Sequence, residues 1–296
     1  MVAEALKTLT PGLRVEIRII KTIGDKQQAW QERPAPLGSA GGKGIFVKEI
    51  EDALLAGEVD AAVHSLKDLP TELPEGLHVA VVPRREDPRD ALVTRDGRDL
   101  DALPSGARVG TGSPRRVTQL RSRRPDLVFV PLRGNIDTRV GRVRGGDLDA
   151  VVLAMAGLNR LGLQGATAIP VSPEVCLPAP GQGALGLECR KEEGAFLGAL
   201  AKLHDPDTAV CVLAERAFLA ALGGGCLVPA GALASLEQRR LTLRCVVSDA
   251  EGTRLLRSTV SGDPSRPEDL GAGAASSLLA AGAAEILSHL RGGMGV

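Results

Sequence analysis

At 296 residues the chain exceeds one ordinary core and points to two or three domains. Hydrophobic residues are 44% and charged residues 24%, and 36 Lys plus Arg offset 36 Asp plus Glu, so no global field draws the chain to nucleic acid or a membrane. Aromatics are 2%, with no tyrosine, which weighs against stacking on single-stranded nucleic acid.

The opening M-V-A-E-A-L-K-T-L-T-P-G contains no apolar signal core. No later stretch reads as the roughly 18 apolar residues of a spanning helix, so a cytoplasmic protein away from membranes is expected. Residues 13–20, L-R-V-E-I-R-I-I, alternate apolar and charged side chains as a strand does. Residues 24–44 form a polar stretch rich in Gly, Pro and Gln, whose length reads either as disorder or as a mobile lid. I-F-V-K-E-I-E-D-A-L-L (45–55) has helical spacing with a stop at Gly57, and V-D-A-A-V-H-S (59–65) follows as a short buried strand.

The plan repeats. A strand closes at Arg108 to Gly110, and Ser113 then Pro114 reads as an N-cap followed by proline in the first helical position. L-V-F-V-P-L-R (127–133) is a strand, Asn135 caps a second helix, and D-A-V-V-L-A (149–154) is another strand. G-E-V-D-A-A-V (57–63) and G-D-L-D-A-V-V (146–152) echo each other, each after a helix. Alternating strands and helices predict two related α/β domains with doubly wound parallel sheets facing across a cleft. From about Asp205 a helix (207–222), strands near 227–235, 241–248 and 253–260, and a final Ala- and Leu-rich helix (269–290) make a separate α+β domain.

No lysine occurs between Lys67 and Lys191, while arginines crowd 84–144. Most are ordinary solvated arginines, but four are marked by position. Arg115 and Arg116 occupy the first turn of a helix, where cations cost stability unless an anion binds between them. Thr111, Gly112 and Ser113 add donors there. Arg133 ends the next strand and Arg139 opens the following helix, so all four guanidinium forks are expected to converge on one crevice at the strand ends. Such forks suit a small molecule with several carboxylates. H-S-L-K-D-L-P (64–70) ends the corresponding strand of the first domain, where Lys67 and Asp68 read either as a local ion pair or as a carboxylate facing the arginines to stabilise a cation or carry a proton. G-Q-G-A-L-G (181–186) matches the dinucleotide fingerprint but follows L-P-A-P instead of a strand, so it is rejected.

The five cysteines, 176, 189, 211, 226 and 245, are odd in number and lack C-x-x-C, which argues against a disulfide framework and against a metal site. Cys176, Cys189, Cys211 and Cys245 lie in apolar surroundings and read as small buried hydrophobes. Cys226 follows three glycines in L-G-G-G-C-L-V-P-A-G (222–231), an accessible backbone that leaves a thiol able to form a covalent bond.

The segments G-G-K-G-I-F-V-K-E (41–49), A-V-H-S-L-K-D-L-P (62–70), R-E-D-P-R-D-A (85–91), G-T-G-S-P-R-R (110–116), L-R-G-N-I-D-T-R (132–139), L-A-M-A-G-L-N-R-L-G (153–162), L-P-A-P-G-Q-G-A-L-G-L-E-C-R (177–190) and G-G-G-C-L-V-P-A-G (223–231) together resemble the hydroxymethylbilane synthase, or porphobilinogen deaminase, family over nearly the whole chain. The resemblance implies a three-domain fold: two α/β domains like periplasmic binding proteins (1–83 with 184–203, and 84–183, hinged near 84–88 and 178–183) and an α+β domain (204–296). It implies a transferase that joins four porphobilinogen molecules, with loss of ammonia, into linear hydroxymethylbilane on a dipyrromethane cofactor held by a thioether to Cys226. By the same resemblance Asp68 is the catalytic carboxylate. Ser65, Lys67, Thr111, Ser113, Arg115, Arg116, Arg133, Arg139 and Arg160 bind acetate and propionate side chains. Lys43 and Phe46 belong to the lid side, and Gln182 to the hinge region. A monomer is expected. Family members open with roughly R-I-G-T-R-x-S-x-L-A, and this sequence matches from near L-K-T-L-T-P-G onward; either its start is placed too late or the chain is shortened, and if shortened the first domain's sheet lacks a strand. A polycarboxylate solute-binding protein would share the cleft but needs an export signal and has no use for Cys226. A truncated relative that only binds pyrroles is the other alternative.

Overall fold

The computed structural model describes residues 1–20, 47–163, 167–191, 195–224 and 228–292. The chain starts with α1 (Val2–Leu9) and α2 (Lys48–Leu55), then β1 (Ala62–Ser65) and β2 (Leu77–Val81). It passes to β3 (Asp90–Thr94), β4 (Arg108–Gly110), α3 (Pro114–Arg123), β5 (Val128–Val130), α4 (Ile136–Arg144), β6 (Ala150–Ala154), α5 (Met155–Arg160) and β7 (Ala168–Pro170). It returns with β8 (Leu185–Arg190) and α6 (Ala195–Ala201), then continues into α7 (Pro206–Ala221), β9 (Ala230–Glu237), β10 (Arg240–Ser248), β11 (Leu255–Gly262), α8 (Pro267–Leu278) and α9 (Ala284–Gly292).

These strands build three sheets, ordered β1-β8-β2, β5-β4-β6-β3-β7 and β11-β10-β9. The α/β architecture with a separate C-terminal α+β unit is as expected, but the sheets are not purely parallel. β4 pairs in parallel with β5 and β6 through the crossovers made by α3 and α4, whereas β3 pairs antiparallel with both β6 and β7. Among the described residues the first sheet is antiparallel throughout, because its central strand β8 arrives from the returning segment. The repeated motif has a structural basis: Gly57 and Gly146, each just past a helix, take φ of 71° and 83°, and each leads within a few residues into a strand.

Residues 13–20 do not form the expected strand. Among the described residues they have no sheet partner; Leu13 and Val15 pack against the core around Leu6 and Leu187, while Ile17 and Ile19 remain exposed. Alternation alone marks a chain able to pair, and pairing also needs a neighbouring edge in reach.

The third core forms where β10 turns Leu241, Leu243, Cys245 and Val247 inward against Phe218 of α7 and Ala275 and Leu278 of α8. α7 and α8 approach so closely that a Cβ on Gly271 would collide with the Ala214 carbonyl. The Ala- and Leu-rich run Pro267–Leu290 is, by length and composition, apolar enough to cross a membrane, contrary to the sequence expectation. In this fold its apolar stripe lines the third core, and the run is kinked at Gly282, whose φ is 110°.

The chain crosses between the first two sheets twice, after β2 and before β8, and both crossings are tied to α7. Arg85 donates through Nη1 to Glu215 Oε1 (2.6 Å) and through Nη2 to Oε2 (3.0 Å), and through Nε to the Gln182 carbonyl (2.8 Å). Fully buried Glu215 also accepts from the Gly181 N–H (2.6 Å) and, across to β9, the Ala234 N–H (2.8 Å). Four donors satisfy one carboxylate, and each comes from a segment that could otherwise move apart. Gly183 takes φ of 86° on the second crossing, and a Cβ there would meet the Glu86 carbonyl of the first at 2.5 Å. Glu215→Ala is expected to lower stability by about 3–5 kcal/mol, since it leaves a buried guanidinium and two N–H groups unpaired. Urea denaturation measures this; an unchanged midpoint would remove the carboxylate from its structural place.

Candidate active site

Strand β1 ends at Ser65, and the chain turns at once: the Asp68 N–H donates to the Ser65 carbonyl (2.9 Å), and the Leu66 N–H donates to the Ala184 carbonyl (3.1 Å). Leu66 is buried beneath the turn, which presents half-buried Lys67 and exposed Asp68 outward. Among the described residues neither makes an ion pair. Burial is the main influence on Lys67 and lowers its pKa; Asp68 opposes the shift, and Arg116, Asp90 and Arg115 also act on it. Burial likewise lowers the pKa of Arg139, helped by Arg116 and Arg133 and opposed by Asp68. The turn after β1 and the arginines of the second sheet therefore share one electrostatic neighbourhood. Lys67 and Asp68 are not the closed local pair that was one reading of the sequence.

The N-terminus of α3 differs from expectation. Arg115 and Arg116 are indeed in the first turn, and an anion does sit between them, but it is the protein's own Asp90. Arg115 Nη1 donates to Asp90 Oδ2 (2.7 Å) and to the Leu177 carbonyl (2.6 Å). Arg116 reaches Asp90 Oδ1 through Nε (3.0 Å) and Nη2 (2.8 Å), and the Val152 carbonyl through Nη1 (2.9 Å). All three side chains are buried. Burial alone would push the Asp90 carboxyl up; the two guanidiniums outweigh it and hold the group well below the usual carboxylate range. Both forks are thus occupied in this structure, and the expected convergence of four guanidinium forks on one crevice is corrected at Arg115 and Arg116, which form a buried knot with Asp90. Proximity to that knot is why Arg115 and Arg116 still act on Lys67.

The other sequence candidates are placed as follows. Ser113 occupies the N-cap position of α3 without a side-chain cap bond; the Thr111 hydroxyl accepts from the Ser113 N–H instead (3.3 Å), and Thr111 is buried. Asn135 caps α4 by accepting from the Thr138 N–H (2.9 Å), which sets Arg139 one turn in, with its Nε on the Gly134 carbonyl (2.7 Å). Arg160 ends α5 and donates to the Gly183 carbonyl (2.7 Å). Gln182 is buried at the crossing, as expected for the hinge, and its Nε2 donates to the Pro88 carbonyl (2.8 Å) and to Asp90 Oδ1 (2.9 Å). Lys43, Phe46 and Cys226 lie outside the described residues. Cys176, Cys189, Cys211 and Cys245 are all buried thiols, and burial pushes Cys176 up to about 12 and Cys189 and Cys211 up to about 11.

Sequence reasoning missed Asp90, Arg85 and Glu215. Arg85 and Asp90 do stand in the R-E-D-P-R-D-A segment, but nothing local says that one faces α7 and the other α3. It also missed a buried pair beneath β1, where His64 Nε2 stands 2.9 Å from Glu188 Oε2. Glu51 of α2 shares this pocket; burial and the Glu188 charge raise its pKa.

A family profile for the porphobilinogen deaminase dipyrromethane cofactor-binding domain matches residues 1–197, and the profile for the porphobilinogen deaminase C-terminal domain matches 209–280. The chain belongs to the porphobilinogen deaminase family. A porphobilinogen deaminase of Syntrophobacter fumaroxidans is 48% identical over 98% of this chain and 92% of the relative, and one of Syntrophotalea carbinolica is 50% identical over 98% and 90%. Among solved structures there is a low-level likeness to a Salmonella typhimurium periplasmic binding protein with high arginine specificity, at 18% identity and TM-score 0.31, covering 54% of this chain and 71% of that one.

The family's dipyrromethane carries several carboxylates, and the residues present fit it. Lys67 and Arg139 are partly desolvated cations with no carboxylate partner among the described residues, and their lowered pKa values express that deficit. A bound carboxylate would relieve it. The Lys67 amine of the ligand-free protein is therefore expected to titrate below an ordinary lysine and to move upward when a dicarboxylate fills the cleft. Lysine-selective NMR titration reads both values; a Lys67 that titrates normally and ignores ligand would contradict the assignment. Asp90 makes a separate prediction. Its folded pKa is depressed, so its stabilisation is complete above the ordinary carboxylate range of about 4 and fades as pH falls through the lower folded value. Asp90→Asn should cost about 3–5 kcal/mol at neutral pH and flatten the loss of stability in acid, as measured by denaturation at a series of pH values.

Proposed function

We propose that Asp68 is the catalytic carboxylate of this chain and that Cys226 carries its dipyrromethane. As a porphobilinogen deaminase the chain is a transferase of tetrapyrrole biosynthesis, joining four porphobilinogen molecules head to tail with loss of ammonia and releasing linear hydroxymethylbilane by hydrolysis. The observation that carries the proposal is Asp68 itself: an exposed carboxylate without an ion pair among the described residues, felt by both Lys67 and Arg139, beside a knot whose own carboxylate is buried and fully occupied.

Each residue has a definable task. When ammonia leaves the substrate aminomethyl group, electron density flows from the pyrrole nitrogen and its N–H becomes acidic and positively charged. The Asp68 carboxylate accepts that N–H and stabilises the charge where it develops. After the new carbon–carbon bond forms, the displaced α-proton needs an acceptor, and in this proposal the same carboxylate takes it. Lys67 and Arg139, with Arg133, Arg160, Ser65 and Ser113 at the rim, hold the acetate and propionate groups so that the reacting carbons meet in a fixed orientation. Arg115, Arg116 and Thr111 act from behind, by shaping and charging the cleft wall. When bound, dipyrromethane supplies the free α-carbon on which the chain grows. Cys226 suits its attachment because Gly224, two residues earlier, lies beside Thr71 just past the Asp68 turn, with an added Cβ 3.5 Å from Thr71 Oγ1.

The proposal includes domains at 1–83 with 184–203, 84–183 and 204–296, a cytoplasmic monomer, and a small-molecule substrate without nucleic-acid or membrane partners. The balanced charge supports the last of these. Intact mass of the purified protein should exceed the sequence mass by two pyrrole units, and Cys226→Ala should abolish the excess. Asp68→Asn should retain the added mass yet lose turnover by about 10²- to 10⁴-fold. An unmodified wild type with full activity would refute the mechanism.

A further inference from the structure

Arg216 follows Glu215 on α7, but its side chain reaches to the turn after β1 and not to the hinge. Its Nη1 donates to the carbonyls of Leu66 (3.1 Å) and Leu69 (3.0 Å), and its Nη2 to that of Pro70 (2.6 Å). The accepting residues bracket Lys67 and Asp68. Arg216 has no carboxylate partner among the described residues, and burial lowers its pKa. A desolvated cation without a counter-ion is costly, and an apolar residue would fill the space more cheaply. What a guanidinium offers here is a rigid fork that gathers three carbonyls and so fixes the curvature of one turn.

The same helix leads in sequence to Cys226, five residues past its end. α7 ends at Ala221, Gly224 rests beside Thr71, and Cys226 is two residues further on. One rigid element therefore carries the clamp on the Asp68 turn and the root of the segment that bears the cysteine. We propose that Arg216 is a positioning residue that holds the Asp68 turn in place relative to Gly224, so that the acid stays put while the bound chain lengthens. This rests on the roles assigned above to Asp68 and Cys226.

The test compares Arg216→Gln and Arg216→Lys with wild type and Asp68→Asn, all as full-length proteins. Intact mass verifies the attached cofactor, thermal melting gives the folded fraction, and steady-state kcat and KM are measured with porphobilinogen. The mass ladder of enzyme carrying one, two or three added pyrroles is recorded during turnover. A shifted acid should lower kcat by about 10- to 100-fold with KM little changed. Intermediates should pile up at particular steps, because each addition presents a different chain length to a misplaced carboxylate. Arg216→Lys, which keeps the charge but cannot span three carbonyls, should show the same uneven ladder, and it serves as the readout if Arg216→Gln does not fold. The inference is overturned if the folded variants turn over like wild type, or if activity falls only in proportion to folded protein with an unchanged ladder. Failure of the Asp68 assignment looks different: Asp68→Asn would then be fully active whatever the Arg216 variants do.

Discussion

The Glu215 carboxylate is the joint on which this architecture depends. It is fully buried and takes four hydrogen bonds, two from Arg85, one from the Gly181 N–H and one from the Ala234 N–H. Those donors come from the first crossing, the second crossing and the third sheet. A buried carboxylate with fewer partners would be a liability; with all of them it holds three segments in one arrangement. The bond is polar and directional, so it restrains orientation in a way that an apolar contact between the same segments would not.

A second buried carboxylate performs the corresponding task inside the second lobe. Asp90 begins β3 and neutralises Arg115 and Arg116, whose long side chains reach it from the first turn of α3, while Gln182 brings the hinge to the same oxygen. Charges of the knot act on Lys67, and Arg116 acts on Arg139 as well.

Much of the local structure was legible from residues alone. Asn135 caps its helix as expected, the two glycine stops recur after α2 and α4, and the four apolar cysteines are buried. Each of these is decided by a residue and its near neighbours. The 13–20 stretch failed as a strand because alternation describes a side-chain pattern and not the presence of a partner edge. The parallel-sheet expectation was only half right for a related reason: β4, α3 and β5 are consecutive and make a parallel crossover, but β3 and β8 find their neighbours through distant returns of the chain.

By itself the sequence determined the chemistry on offer: a glycine-hinged thiol at Cys226, a carboxylate at Asp68 behind a lysine, and an excess of guanidiniums on the segment that follows. Its ordered motifs also carried the family. Only the tertiary structure decided which charges stay available. Arg85 meets Glu215 across 130 residues, Arg216 meets Leu66 across 150, and Arg115 meets Asp90 across 25. Electrostatic pairing depends on distance through space and on burial, and neither can be read from spacing along a chain. A row of arginines that looks uniform in sequence is thus sorted by folding into a hinge bolt, a buried knot and a clamp on a turn.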